Sequence, residues 1–229
     1  GNQYQLWPSF QYTIDGGSTW NTITTGQLTG YNTDNPITLS DNSTYVEAAT
    51  VWDARSVLPN TFATMQVRAI VDDHEAANNT TAVTSDTFYF DTKKPAASSV
   101  QGGGTGININ HNQLTSLSAD KTNNRNVTLY FSATDDSDLK VKYSSNSSLS
   151  GAVYQDYVSS VGFTLPSNDG TKTVYAQFKD IYGNETNIYS DTIELDTTSP
   201  NNPSPLFSKD VSNANNNEYR IFINWPKGT

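Results

Sequence analysis

The stretches SDTFYFDTKKP, residues 85–95, and SDTIELDTTSP, residues 190–200, are two copies of one phrase. Six of the eleven positions are identical, and the matching positions are always 105 residues apart. In both copies a short run with alternating apolar residues leads into Asp-Thr and then into a proline. Period-two alternation predicts a half-buried β-strand, and proline, which has no N–H to donate, ends the strand and stiffens the exit. The repeat therefore predicts two units, each closed by a strand and a short DTxxP linker.

The segments upstream of each copy extend this pattern. MQVRAIVDD precedes the first copy and TVYAQFKDIYGN precedes the second, and each is followed by polar turn residues. In the second unit, NVTLYFSA, LKVKY and VGFTL also alternate, with turn signals between them. Short strands at roughly ten-residue spacing over about 100 residues indicate an immunoglobulin-like sandwich, here without its disulfide.

The composition agrees with an all-β chain. The 229 residues suffice for two ordinary domains. They include 30 Thr and 13 Tyr, which favour strands, and 25 Asn and 25 Ser, which favour turns. Cysteine is absent, so neither a disulfide nor thiol chemistry is available.

The charge of the chain limits its partners. It has 23 acidic and 13 basic residues and a formal net charge of −10. Such a surface repels nucleic acid and anionic membranes and suits cation binding. Because of this charge we expect no nucleic-acid partner. No run of about 20 apolar residues occurs, so we also expect no membrane insertion.

Several phrases resemble the bacterial Ig-like (Big-type) modules of secreted and cell-surface proteins such as adhesins. They are FSATDDSDLKVKYS, VYAQFKDIYGNET and ELDTTSP, and FQYTIDGGSTW is similar to a strand-turn-strand phrase of these modules. The resemblance covers residues 96–200 well and 10–95 less well, because the first unit has about 24 extra residues before MQVRAIV. It implies an extracellular location and tandem Ig-like β-sandwiches.

We expect three divisions of the chain. Residues 1–95 form an Ig-like module that lacks opening strands and carries an insertion, and residues 96–200 form a complete Ig-like module. Residues 201–229 begin a third, Ig-like or fibronectin III-like module, because Tyr219, Ile221, Ile223 and Trp225 alternate as inward-facing residues. Two explanations remain open: the chain is a slice of a longer array, or the C-terminal strands of one chain complete the first module of the next.

Catalysis is not expected. The two histidines, His74 and His111, lie in polar, turn-like segments, and no cysteine is present to complete a Cys/His zinc site. GGGTG at 102–106 lacks the Lys-Ser/Thr of a phosphate-binding loop. The sequence therefore predicts a protein that is not an enzyme.

The DTxxP exits suggest calcium sites. In an Ig-like sandwich, Asp91 would leave the first module beside the turns TDDSD and KDIYGN of the second. Its expected neighbours are Asp135, Asp136, Asp138 and Asp180, with Asn184 as a neutral oxygen donor. Asp196 would face Asp169 of its own module. Calcium takes six to eight oxygen ligands, which suits several carboxylates at one joint; the alternative is that these acids are solvated turn residues.

We therefore expect a non-catalytic structural array of an extracellular microbial protein, acting as a rigid spacer or stalk of an adhesin, surface coat or fibre. Its expected partners are neighbouring modules or identical chains, with head-to-tail strand exchange between chains as one of the two open explanations. The alternative is a carbohydrate-binding or adhesive module of a secreted polysaccharide-acting enzyme or adhesin tip, with a glycan or host surface as partner. In that case Trp52, in the inserted stretch ATVWDARSVLPN, is the expected ligand-binding residue because an aromatic ring can stack on a sugar.

Overall fold

The chain folds almost entirely into β-strands joined by turns. A computed structural model describes residues 4–30, 35–39, 47–75, 80–100, 104–110, 121–200, 207–212, 215 and 219–224. Within these ranges no α-helix occurs, and the helical residues lie in short 3-10 turns, among them Thr25–Gln27 and Ala54–Ser56. The all-β prediction is confirmed. No helix in the described residues is long and apolar enough to cross a membrane.

The described residues before position 95 form one larger sheet and a small ribbon. The strands are β1 (Tyr4–Thr13), β2 (Asn21–Ile23), β3 (Leu28–Gly30), β4 (Ile37–Leu39), β5 (Thr50–Trp52), β6 (Phe62–Asp72), β7 (Thr80–Thr84) and β8 (Phe88–Asp91). Six of them make the N-terminal sheet, whose main path is β2-β1-β6-β7, with β4 paired to β1 and β8 paired to β6. Strands β3 and β5 pair only with each other, as a separate antiparallel ribbon.

The N-terminal sheet has a small core. Its buried apolar residues are Tyr12, Ile23 and Met65. The β3–β5 ribbon covers them with Leu28 and Trp52, and the segment after the second 3-10 turn adds further apolar contacts. On the face of β6 that carries Met65, Met65 itself is buried, whereas Val67, Ala69 and Val71 are only partly buried. The apolar face of β6 is therefore buried where β6 pairs with β8 and only partly buried where it pairs with β7.

The described residues between 96 and 195 form a second unit, which has two layers of strands. The strands are β9 (Ala96–Ala97), β10 (Ile107–Ile109), β11 (Lys121–Thr122), β12 (Asn126–Phe131), β13 (Ala133–Thr134), β14 (Leu139–Ser144), β15 (Gln155–Asp156), β16 (Ser160–Thr164), β17 (Gly170–Asp180) and β18 (Tyr189–Leu195). One sheet has the order β10-β12-β16 and the other the order β11-β18-β17-β14-β15, while β9 pairs with β13. We call the two facing sheets the central sandwich.

Both sheets of the central sandwich contribute to one apolar core. Its buried members are Ile107, Ile109, Val127, Leu129, Phe131, Ala133, Val141, Leu165, Val174, Ala176, Phe178 and Ile193. The alternation predicted for NVTLYFSA and TVYAQFKD is confirmed, since their alternate apolar residues are buried: Val127, Leu129, Phe131, Ala133, Val174, Ala176 and Phe178. Alternation predicted the side-chain directions here because each sheet has one face covered by the other and one face in water.

The last described strands form an antiparallel pair, β19 (Phe207–Asp210) and β20 (Ile221–Asn224), which we call the C-terminal hairpin. Tyr219, Ile221 and Ile223, expected to face inward in a third module, are exposed here, as is Phe222. Their place in such a module stays a prediction. No second layer covers either face of the hairpin in the described residues. Trp225 and His111 lie outside those residues.

The core of the central sandwich can be tested at Phe131. Its ring is buried and lies edge-to-face with Phe178, with 6.1 Å between the ring centroids. We expect Phe131→Ala to lower the free energy of unfolding by about 3–5 kcal/mol, because it removes a fully packed ring. Phe222→Ala, at an exposed position, should change it by no more than about 0.5 kcal/mol. Chemical denaturation of both variants checks this, and a cost under about 1 kcal/mol at Phe131 would contradict the packing.

Candidate metal centre where the sheet meets the sandwich

Four side chains from distant parts of the chain meet where the N-terminal sheet adjoins the central sandwich. Asp91 is the last residue of β8, Asp135 follows β13, Asp180 ends β17, and Asn184 lies in the turn after β17. We call these four residues the junction group. Asp91, Asp135 and Asp180 lie at or directly after strand ends, and the turn that follows β17 brings Asn184 back to them.

The three carboxylates of the junction group are close together. Asp91, Asp135 and Asp180 each offer one oxygen, and these oxygens lie within 4.8 Å of one another. Asp91 is 6% exposed and Asp180 1%, while Asp135 is half-buried. Two oxygens bound to the same Ca²⁺ at 2.3–2.6 Å are separated by no more than about 5 Å, so these three fit around a single ion.

Asn184 ties the group together. Its Nδ2 donates to Asp180 Oδ2 at 2.6 Å and to the backbone carbonyl of Asp91 at 3.2 Å. Its backbone N–H donates to Asp180 Oδ1 at 2.8 Å. The bond to Asp91 links the last strand of the N-terminal sheet to a turn of the sandwich, and Asn184 itself is 1% exposed.

Two buried oxygens of the group have no hydrogen-bond partner in the described residues. They are Asp135 Oδ2 and Asn184 Oδ1. Buried side-chain oxygens are nearly always bonded, and one left without a partner costs about 1–3 kcal/mol. Such oxygens beside two buried carboxylates are what a bound cation would use.

The electrostatics of the group also favour a cation. Burial raises the pKa of Asp91 above its usual value, and the nearby charges of Asp180 and Asp135 raise it further. The backbone N–H of Lys93, which donates to Asp91 Oδ1 at 2.8 Å, acts in the opposite direction. Carboxylates that disfavour one another's charge are stabilised together by a proton or by a metal ion.

Two of the acids expected beside Asp91 point elsewhere. Asp136 pairs with Lys93 at the surface, and that carboxylate raises the pKa of the lysine. Asp138 has an exposed side chain, and its contribution is a backbone carbonyl that accepts the N–H of Ile181 at 3.1 Å. Of the residues expected around a cation at this joint, the structure brings together the four of the junction group and leaves Asp136 and Asp138 outside it.

Sequence reasoning missed Ser137 and Lys93. The Ser137 hydroxyl lies 2.8 Å from Asp135 Oδ1 and 3.3 Å from Asp91 Oδ2, so its single proton can serve either carboxylate. The Ser137 backbone N–H also donates to Asp135 Oδ1 at 3.0 Å. The Asp-x-Ser spacing of residues 135–137 signals a turn of this kind. Nothing local in the sequence signals the pairing of Lys93 with Asp136.

The second exit is built differently. Asp169 Oδ1 accepts the backbone N–H of Thr197 at 2.8 Å, and Asp169 Oδ2 accepts the hydroxyl of Thr198 at 2.6 Å. Asp196 Oδ1 accepts the backbone N–H of Thr198 at 3.1 Å. Thr198 is therefore bonded to both acids, whereas Thr197 is bonded to Asp169 alone, and both acids are exposed. Their predicted metal role remains a prediction.

Trp52 is less exposed than expected. Its ring packs on Tyr12, with 4.8 Å between the ring centroids, and belongs to the cover of the N-terminal core. Its Nε1 atom is buried without a hydrogen-bond partner in the described residues. Its ligand-binding role remains a prediction; in the structure the ring packs against the N-terminal core.

Comparison with known proteins adds no relative. No protein-family model matches the chain, and no curated protein matches its sequence. The functional argument therefore depends on the geometry.

The pKa of Asp169 gives a test of the second exit. Hydrogen bonds from the Thr198 hydroxyl, and then from the backbone and hydroxyl of Thr197, lower it to about 2. The stabilisation from this carboxylate should therefore be complete above its unfolded pKa of about 3.9 and be lost as the pH falls through 2. NMR titration of the Asp169 side chain should show the low midpoint. Asp169→Ala, which removes the acceptor of the Thr197 N–H, should make the Thr197 amide exchange faster, whereas a midpoint near 4 in the wild type would contradict these contacts.

Proposed function

We propose that this chain is a non-catalytic structural array of tandem Ig-like modules, joined by short DTxxP linkers, in an extracellular microbial protein. It acts as a rigid spacer or stalk in an adhesin, surface coat or fibre, and calcium stiffens its first joint. The observation that carries the proposal is the junction group. Its buried polar contacts tie the end of β8 to the turns of the central sandwich.

Buried contacts at the joint support a fixed connection. A flexible linker would leave its side chains in water, whereas Asp91 and Thr92 are both buried. The Thr92 hydroxyl accepts the backbone N–H of Thr61 at 3.1 Å and donates to the carbonyl of Leu58, so the exit is also fastened to the N-terminal sheet. An exit fastened on both sides transmits orientation from one module to the next.

The residues present fit calcium. Asp91, Asp135 and Asp180 supply carboxylate oxygens, and Asn184 Oδ1 supplies a neutral one. Calcium prefers such hard oxygen ligands and tolerates irregular geometry, with water completing six to eight ligands. The ion would neutralise charges that otherwise repel one another, and the side chains would hold the two modules in register around it.

The alternative carbohydrate-binding function has less support. It assigned Trp52 to a sugar platform, and that ring is largely used in packing on Tyr12.

Calcium binding can be tested with an isosteric variant. Asp135→Asn retains an acceptor at Oδ1 for Ser137 and replaces only the unpartnered Oδ2. In the wild type, calcium should stabilise the fold by about 2.7 kcal/mol at a hundredfold excess over Kd. Asp135→Asn should lose most of this gain and should melt at or above the wild-type temperature in chelator, because one repelling charge is gone. Thermal melting with calcium and with chelator measures both effects.

The matched control is Asp196→Asn, which alters the same motif at the exposed second exit. It should keep the full calcium response. Wild-type protein that melts identically with and without calcium would reject the ion, and an equal loss in both variants would reject the junction group as its site.

Rigidity needs a separate measurement. The chain has no cysteine, so Thr81→Cys in β7 and Ser160→Cys in β16 give two unique, exposed labelling sites. With spin labels at both, we expect one narrow distance distribution in calcium and a broader one in chelator. A narrow distribution in both conditions would support a rigid spacer whose rigidity does not depend on calcium. A broad distribution in both would contradict the spacer.

A further inference from the structure

A lysine lies beside the carboxylates of the junction group. The backbone N–H of Lys93 donates to Asp91 Oδ1 at 2.8 Å, which fixes the start of the lysine side chain next to that carboxylate. The Nζ atom at the other end of the side chain donates to Asp136 Oδ2 at 2.5 Å. Asp136 directly follows Asp135 in the sequence, so the ammonium group is held by the immediate neighbour of a junction residue.

The charge of this lysine acts on the junction group. The pKa of Lys93 is raised above its usual value, first by its bond to Asp136 and then, more weakly, by the charges of Asp135 and Asp91. Charge interactions are mutual, so the ammonium group also stabilises the charged forms of these two junction carboxylates. A positive charge that stabilises them repels a divalent cation that would bind them.

The ion pair that holds the lysine is exposed. The side chain of Lys93 is 42% exposed and that of Asp136 is 43% exposed. Exposed ion pairs contribute little to stability, because water and salt screen them and because holding a long side chain costs entropy. A lysine ammonium is a point charge on a flexible stem. The pair can therefore open without disturbing the fold, and the unpartnered oxygen of Asp135 lies on the adjacent residue.

We infer that Lys93 is a tethered competitor of the cation at the junction group, and that Asp136 holds its ammonium group away from the site. This inference rests on the calcium site proposed above and adds how that site is regulated. Without calcium, the ammonium group offsets part of the repulsion among Asp91, Asp135 and Asp180. With calcium bound, the lysine stays paired with Asp136, so the ion does not meet an unpaired positive charge.

The second exit has a different residue at this position. The repeat places Thr198 where the first exit has Lys93, and Thr198 bonds to Asp169 and Asp196. Both exits close the same turn over an aspartate, but only the first packs its aspartate against two further carboxylates. The lysine therefore accompanies the clustered carboxylates rather than the turn that both exits share.

The calcium affinity of the full chain measures the competition. Isothermal titration with calcium chloride compares the wild type with Lys93→Met, which keeps the apolar stem and removes the charge. One unit charge within about 10 Å of a divalent ion changes its binding by roughly three- to tenfold in water, so Lys93→Met should bind calcium more tightly by that factor. Lys93→Arg, which retains the charge and can pair with Asp136, should keep the wild-type affinity.

The matched control removes a lysine from another exposed ion pair. Lys121 pairs with Glu194 at 3.0 Å. Glu194 lies beside Leu195, which pairs with Gly170 at the end of β17 opposite to Asp180. Lys121→Met should therefore change the Kd for calcium by less than about twofold, because salt screens charges that lie more than a Debye length apart.

The role of Asp136 is tested with and without the lysine. Asp136→Asn should weaken calcium binding, because it removes a negative charge and releases the ammonium group toward the site. In the Lys93→Met background the same substitution should weaken binding less, since no ammonium group remains to be released. Such a difference is a coupling that two independent surface charges would not show.

Thermal melting separates competition from a structural role. In chelator, Lys93→Met should melt below the wild type, because the junction carboxylates lose a compensating charge. The same variant should gain more from calcium than the wild type does. A lysine with a merely structural role would lower the melting temperature equally in both conditions, and that result would overturn the inference.

The affinities separate this inference from the proposed function. Equal calcium affinity in the wild type and in Lys93→Met would overturn the competition and leave the calcium site in place. Equal effects of Asp136→Asn in both backgrounds would overturn the holding role of Asp136. If neither the wild type nor Lys93→Met binds calcium, the proposed ion itself fails, and the competition fails with it.

Discussion

The bond from Asn184 Nδ2 to the carbonyl of Asp91 controls the junction, because it fixes where the first β-unit ends against the second. The amide that makes this bond is buried, and it also holds Asp180 at 2.6 Å. Its other atom, Oδ1, is thereby directed into a buried site without a protein partner. Bringing Asp91 to Asn184 also brings it to Asp135 and Asp180. The bond that orders the joint therefore also brings three carboxylates together, and their charges must be compensated for the joint to be stable.

The sequence predicted the faces of the central sandwich because both sheets of that unit have a covered side. Leu129 and Phe131 could alternate with polar residues only if one face were buried, and that face is buried. Ile221 and Ile223 alternate in the same way, yet both are exposed in the described residues. Alternation reports what a strand is suited to cover, and it cannot report whether a second layer is present.

Part of the junction was predictable from topology. A strand that leaves one sheet toward the loops of the next must end beside those loops, which brought Asp91 to Asp135, Asp180 and Asn184. The choice between Asp135 and Asp136 was not predictable, because neighbouring residues of a turn point in different directions. Lys93 resolves it by pairing with Asp136 at the surface. That pairing depends on tertiary structure, which no local pattern encodes.

The two exits share a local turn and differ in their surroundings. Asp91 accepts the N–H of Lys93, and Asp196 accepts the N–H of Thr198, so each aspartate closes a turn over two residues. This short bond accounts for the repeated Asp without any ligand. Burial is what separates the two sites, since the carboxylate of Asp91 is enclosed with two others while that of Asp196 remains in water. The repeated phrase therefore encodes the turn, and the chemistry of the junction comes from the loops against which the first exit is packed.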